Sequence, residues 1–257
     1  MLSIRPLRVF DDNYVWLIGR AGAAEVAVVD PGDGPPVVHA LTREGLRPVA
    51  VLVTHRHADH VGGVGALLVH APEAVVWAPA EASLPRIDRV VDDGDRVGID
   101  ALGLELTVIG VPGHTLGHVA YLAPGRAFVG DTLFAGGCGR VFEGTMPQMY
   151  ASLERLAALP PDTDLYCGHE YTVSNLEFAL RVEPDNDELA QRLSTARDRM
   201  EVGDPTVPSR LATELATNPF LRCREPSVVE AAGRRAGARV QPGAETFEVI
   251  RRWKDGV

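Results

Sequence analysis

The stretch from Val49 to His60 limits what this chain can fold into more than any other. The apolar run Val49-Ala50-Val51-Leu52-Val53 has the length and β-branched content of a buried strand. It passes through Thr54 straight into His55-Arg56-His57-Ala58-Asp59-His60, so three imidazoles and a carboxylate stand together at a strand end. With 8 His in 257 residues, three His and one Asp at fixed places arise by chance roughly once in a million starts. Imidazoles this close are costly to protonate together and make a natural metal site. A polar loop of hydrogen-bonded histidines is the bland alternative, and the density of donors disfavours it.

The flanking chain supplies a sheet to carry that site. Val9 to Ile18 is a strand-like run with polar punctuation at Asp11-Asp12-Asn13, and Val26-Ala27-Val28-Val29-Asp30 is a short strand closed by Pro31-Gly32. Pro36 to Glu44 reads as a helix stopped by Gly45. A helix also begins after His60, in His60-Val61-Gly62-Gly63-Val64. Val75 to Ala78 and the alternating Leu104-Glu105-Leu106-Thr107-Val108 are further strands. Val119 to Leu122 and Ala127 to Asp131 form a hairpin around Pro124-Gly125, followed by a helix from Met146 to Leu159 and a strand over Asp164 to Cys167. Beyond about residue 170 the pattern is helical with no strand signal. Ser174-Asn175-Leu176-Glu177 offers a capping box, Pro184 ends that helix, and Gly203 stops a second helix over Glu188 to Val202. The expected organisation is an α+β chain: a β-rich catalytic domain over 1–172 and a small helical domain over 173–257.

Bulk properties remove several function classes. A net charge of −10 without a basic run argues against a nucleic-acid surface. No stretch approaches the roughly 18 apolar residues of a membrane span, and the first residues lack a secretory signal, so no membrane partner and a cytoplasmic address are expected. Cys138, Cys167 and Cys223 are too few and too irregularly spaced for a disulfide framework or a zinc knuckle. No exposed apolar seam is readable, which favours a monomer.

Candidate ligands recur at strand ends and turns: His55, His57, Asp59, His60, His114, Asp131 and His169. A single ion takes three or four protein ligands, so seven are too many for one and sensible for two if Asp131 bridges them. A nitrogen and oxygen donor set without thiolate suits Zn²⁺, with Fe or Mn also compatible. His118, one residue into a strand, fits a supporting role better than a ligand's.

Taken together, Thr54-His55-Arg56-His57-Ala58-Asp59-His60, Gly113-His114-Thr115, Gly130-Asp131-Thr132 and Gly168-His169 resemble the metallo-β-lactamase superfamily of hydrolases. Nearly the whole chain resembles, more narrowly, the hydroxyacylglutathione hydrolases (glyoxalase II). That likeness rests on Asp12-Asn13-Tyr14, Gly137-Cys138-Gly139-Arg140, Glu143-Gly144-Thr145 and Cys167-Gly168-His169-Glu170-Tyr171-Thr172. Asn218-Pro219-Phe220 and Arg251-Arg252-Trp253-Lys254-Asp255 complete it.

The resemblance implies an αββα metallo-β-lactamase-like sandwich with a helical domain that helps hold glutathione. Carried over by position, one metal takes His55, His57 and His114. The other takes Asp59, His60 and His169, and Asp131 with a hydroxide is shared. It implies hydrolysis of an S-(2-hydroxyacyl)glutathione by attack of that hydroxide, with Asp59 and Asp131 the catalytic carboxylates. Arg140, Tyr171, Arg251 and Lys254 match positions that bind glutathione; on their own, Arg251 and Lys254 read as a solvated helix face. Phe142 stands where some members carry tyrosine, so one neutral hydrogen bond of about 0.5–1.5 kcal/mol is missing there. Asn175 is a weaker binding candidate, and Cys138 lacks an adjacent base for a nucleophilic role.

The rival reading is a mononuclear iron persulfide dioxygenase of the same fold, which does not need the full second ligand set. A nuclease would need a phosphate-binding surface, and a binding module would have lost ligands.

Overall fold

The structure, a computed structural model, describes residues 2–257. The chain groups into two compact units: residues 2–110 with Gly117–Gly130, and Val111–Leu116 with Asp131–Val257.

The first unit carries ten strands. They are β1 (Leu2–Val9), β2 (Asn13–Arg20), β3 (Glu25–Val29), β4 (Arg47–Leu52), β5 (Val75–Pro79), β6 (Arg89–Val91), β7 (Arg96–Ile99), β8 (Leu104–Gly110), β9 (Val119–Ala123) and β10 (Arg126–Gly130). Its helices are α1 (Gly34–Glu44), α2 (Ala58–Val61) and α3 (Val64–His70). Strands β1 to β6 lie in chain order in one sheet, antiparallel from β1 to β3 and parallel from β3 to β6. Strands β7 to β10 form an antiparallel meander.

Sequence pattern and strand environment agree. Parallel strands covered on both faces are apolar throughout, and Val26 to Val29 and Ala50 to Val53 are all buried. In β8 the buried Leu104, Leu106 and Val108 alternate with exposed Glu105 and Thr107, the period of a strand with one covered face. Helix α1 ends at Gly45, whose left-handed φ of 64° supplies the expected stop. Its Val37 and Leu41 join Val64 and Leu67 of α3 against Val26, Val28, Val51 and Val76. Burying each such side chain is worth up to about 1.5–3 kcal/mol.

One expected strand is divided. The sequence predicts a run over Val9 to Ile18, but the chain reverses between Val9 and Asn13, so β1 and β2 pair as a hairpin from Leu2↔Arg20 to Val9↔Asn13. Asp11-Asp12 sit in the turn, and Phe10 at φ 52° makes the reversal.

The second unit contains the short hairpin β11 (Leu133–Phe134) with β12 (Gly137–Cys138) and the pair β13 (Asp164–Cys167) with β14 (Ser209–Arg210). Its helices are α4 (Met146–Ala157), α5 (Thr172–Val182), α6 (Asp187–Glu201), α7 (Leu211–Thr217), α8 (Pro226–Ala236) and α9 (Ala244–Asp255). Strand β14 corrects the expectation of no strand past residue 170; two residues are too short to leave a period in the sequence. The capping box forms on α4, between Thr145 and Gln148, and not at Ser174. Helix α5 has already begun at Thr172, and the Ser174 hydroxyl donates to Tyr171 O. Leu176 and Ala179 of α5 pack on Leu189, Leu193 and Ala196 of α6. Phe178, Phe220 and Phe247 form a run of ring contacts with centroids 5.9–6.1 Å apart.

Candidate metal centre

Four of the expected ligands belong to the first unit and three to the second. In the first, the carboxyl ends of the parallel neighbours β3 and β4 place Asp30 and Thr54 side by side, where open α/β sheets bind their ligands. The Asp30 carboxylate accepts from Thr54 N at 2.8 Å and from Thr54 Oγ1 at 2.7 Å, and lies 3.1 Å from His60 Nδ1. Thr54 Oγ1 is in turn 3.1 Å from His55 Nδ1. Fixing one ring nitrogen sets the tautomer and aims the other, the usual support of a metal-ligating histidine.

His55 Nε2 then lies 3.1 Å from His57 Nδ1, and His60 Nε2 lies 3.5 Å from Asp59 Oδ2. Asn13 Nδ2 donates to Asp59 Oδ2 at 3.0 Å and to Asp59 O at 3.2 Å. His55 and His60 are buried, while the Asp59 side chain is 40% exposed. His118 is buried and stacks on His55 with ring centroids 4.6 Å apart, which suits the supporting role expected of it. The loop packs so closely that a side chain at Gly32 would bring its Cβ to 1.7 Å from Asp59 O.

Asp30 was not legible as a functional residue. It offers a donor within 4.8 Å of those of His55 and His60, but Thr54 and His60 already occupy its oxygens, so it braces these candidate ligands.

In the second unit, His114 stands in the segment Val111–Leu116, and its Nδ1 donates to Arg140 O at 2.9 Å. The His114 Nε2 end faces Asp131 Oδ2 at 3.5 Å, and His169 Nε2 faces the same oxygen at 3.2 Å. All three residues are buried. His169 follows β13 and stacks on Tyr171 with centroids 4.7 Å apart and planes within 4°. One carboxylate oxygen thus addresses two imidazoles.

These spacings fit a metal. Ligands at 2.0–2.1 Å around a tetrahedral ion are about 3.3 Å apart, and the donor pairs within each unit stand 3.1–3.5 Å apart. The donors are imidazole and carboxylate, a set for Zn, Fe or Mn.

The segment after Asp131 is held from several sides. Glu214, fully buried on α7, accepts from Gly136 N at 2.8 Å and Asn218 Nδ2 at 3.1 Å, and also from Arg192 and Ser209. Asn218 Nδ2 additionally donates to Phe134 O and Gly137 O. Asn175, a weak candidate for substrate binding, is 2% exposed and donates to Ala135 O at 3.0 Å. The reading from sequence missed Glu214, which looks there like any helix-surface glutamate.

The expected substrate residues fall into different surroundings. Arg140 is exposed, with Nε 3.4 Å from Asp255 Oδ1. Arg251 is only 2% exposed: Nη1 donates to Cys138 O at 2.8 Å, Nη2 to Asp255 Oδ1 at 2.9 Å, and the guanidinium covers the Phe220 ring. It faces inward because α9 turns this side of the helix to the core, along with Phe247 and Ile250. Lys254 is partly buried with Nζ 5.1 Å from the Phe178 ring centroid, and its pKa is pushed down to about 8 by burial and by Arg251. Phe142 is exposed and meets His114 edge-on. Burial pushes the Cys138 thiol up, which keeps it protonated and unsuited to nucleophilic attack.

Comparison with known proteins agrees with this picture. Residues 8–169 match the model of the metallo-beta-lactamase superfamily, and residues 170–257 match that of the hydroxyacylglutathione hydrolase C-terminus. The hydroxyacylglutathione hydrolase of Halorhodospira halophila is 51% identical over 255 residues, covering 99% of both chains. Among solved structures, ETHE1 from Myxococcus xanthus is 32% identical with a TM-score of 0.59, covering 66% of this chain and 76% of its own. The BLEG-1 B3 metallo-beta-lactamase shares the fold with a TM-score of 0.63 at 22% identity, covering 86% of this chain and 99% of its own.

Proposed function

This chain belongs to the hydroxyacylglutathione hydrolases of the metallo-β-lactamase superfamily and is a thioester hydrolase; from that premise we propose how its residues divide the work. The reaction is hydrolysis of an S-(2-hydroxyacyl)glutathione to glutathione and a 2-hydroxy acid. S-D-lactoylglutathione, giving D-lactate in the second step of methylglyoxal detoxification, is the substrate to try first.

Two divalent ions are proposed, Zn with Fe or Mn as alternatives. His55, His57 and His114 hold one, Asp59, His60 and His169 the other, and Asp131 both. The observation that carries this reading is Asp131 Oδ2, addressed by His169 at 3.2 Å and His114 at 3.5 Å. When bound, the ions would supply Lewis acidity at the thioester carbonyl and a nucleophile at neutral pH. The protein's own part is to fix donors. Asp30 holds the Nδ1 side of His60, Arg140 O accepts a hydrogen bond from His114 Nδ1, and Asn13 orients Asp59.

Substrate binding is assigned to the helical region 173–257 together with Arg140 and Tyr171, and catalysis to 1–172. Arg140 and Lys254 receive the negative charge of glutathione. Tyr171, stacked on His169, offers a hydroxyl beside the reacting group. Arg251 acts from beneath, holding Cys138 O and the Asp255 carboxylate that faces Arg140. We place the enzyme in the cytoplasm as a monomer; among the described residues no helix is long and apolar enough to cross a membrane.

Full-length coverage by the hydrolase relative, against 66% by ETHE1, favours this over the dioxygenase reading. The test follows loss of S-D-lactoylglutathione with purified protein before and after chelation and metal re-addition. No hydrolysis above background by fully metallated protein overturns the reading, and a single iron per chain with no second metal supports the dioxygenase.

A further inference from the structure

Glutathione brings two carboxylates to a protein of net charge −10, so the cations that receive them must be local. Arg251 is buried and its two Nη atoms are engaged, and Arg140 is shared with Asp255. Of the cations expected on α9, Lys254 is left.

Its chain neighbour Trp253 lines a shallow cavity of about 290 Å³ together with Arg181, Ala231, Arg234 and Arg235. Two of its arginines have company: Arg234 reaches Glu230 at 4.0 Å, and Arg235 lies over the Trp253 ring at 5.6 Å. Arg181 makes no ion pair among the described residues, and it is exposed in the last turn of α5. Phe178 stands three residues earlier on the same helix, hence on the same face as Arg181. Its ring is the one that Lys254 Nζ covers at 5.1 Å. Two like charges therefore approach the same patch from α5 and α9. Asp255, the acidic group nearest Lys254 on its own helix, is already engaged by Arg251 and Arg140. Uncompensated like charges repel, and an anion placed between them removes the penalty.

We propose that Arg181 is a further substrate-binding residue, which with Lys254 forms a two-cation cradle for a carboxylate of the glutathione moiety. The proposal rests on the glutathione-thioester reading above. Its electrostatic trace is already present at Lys254. Burial is the largest cause of the lowered pKa, Arg251 comes next, and Arg181 adds to the lowering, while Cys138 and Asp255 oppose it. The bland alternative is that Arg181 only complements the carbonyl end of α5, which would affect stability alone.

The test uses the metal-loaded full chain and the non-hydrolysable ligand S-methylglutathione, with Arg181→Gln and Arg181→Lys as variants. Calorimetry should show about fivefold weaker binding for Arg181→Gln, the scale of a half-exposed ion pair, and near recovery for Arg181→Lys. With both carboxylates of the ligand amidated, the difference should shrink to below about twofold. In steady state, KM rises by the same factor and kcat holds. Wild-type affinity should fall as pH rises through about 8, where Lys254 loses its proton. In Arg181→Gln that fall should move to higher pH, because a neighbouring positive charge is gone; a purely structural arginine would not shift it. Unchanged affinity and an unchanged pH profile in a protein that does hydrolyse the thioester overturn the cradle alone. Absence of hydrolysis by the wild type overturns the hydrolase reading and the cradle with it.

Discussion

Replacing Glu214 by alanine should be among the most damaging single changes outside the ligands. The carboxylate is fully buried and accepts from Gly136 N, Asn218 Nδ2, Arg192 and Ser209. Its removal leaves a guanidinium with 13% side-chain exposure without its counter-ion and a buried backbone N–H without an acceptor. Breaking a buried pair by deleting one partner costs about 3–5 kcal/mol. At ~2–4 °C per kcal/mol for a chain of this size, the melting temperature should fall by roughly 6–20 °C. Glu214→Gln keeps the shape and one acceptor. It exchanges charged for neutral hydrogen bonds, a difference of about 1–1.5 kcal/mol, or ~2–6 °C. The effect should reach the metal centre, because the Gly136 amide held by Glu214 joins β11 to β12, which lead from Asp131 to Arg140. The assay is calorimetric melting of both variants beside elemental analysis of bound metal. If the alanine variant melts within ~2–4 °C of wild type, or the two variants cost the same, the argument from burial is wrong.

Other outcomes follow from the same geometry. Asp131→Ala should lose both bound metal and kcat, whereas Lys254→Ala should keep its metal and raise KM; equal metal loss in both would contradict the role given to Lys254. Asp30→Asn should keep the fold and weaken metal affinity by about 10–100-fold, read by competition with a chelator, because it changes only the partner of His60 and Thr54. Gly32→Ala should fold poorly or lose metal, since its Cβ would lie 1.7 Å from a backbone oxygen of the candidate ligand Asp59; a fully metallated variant of wild-type stability would refute that close packing.

The candidate ligands were legible because their signal is local. His55 to His60 are spaced by one strand end, and His114, Asp131 and His169 each follow a glycine at a turn. Asp30 was hidden because its meaning comes from a neighbour. Only the parallel pairing of β3 with β4 brings it to Thr54 and His60, and no pattern within its own segment reports that pairing. Glu214 was hidden for a related reason, since Arg192 lies on another helix and burial cannot be read from residue type. The capping box shows how short patterns mislead. The same arrangement occurs at Thr145 and at Ser174, and only the first coincides with a helix start, because the second lies inside a helix opened at Tyr171. Arg251 and Lys254 share a helix and a charge, yet one faces the core and the other its margin, a distinction that depends on how α9 packs.

The three cysteines have a consequence for how the protein withstands electrophiles and oxidants. Carbonyl electrophiles and oxidants attack the thiolate, and here burial raises Cys138 and Cys223 and pushes Cys167 up to about 12. Native protein should therefore give almost no reaction with a thiol reagent, and denatured protein should give three equivalents. Chemical durability of this kind would keep the catalyst intact where exposed thiols are consumed.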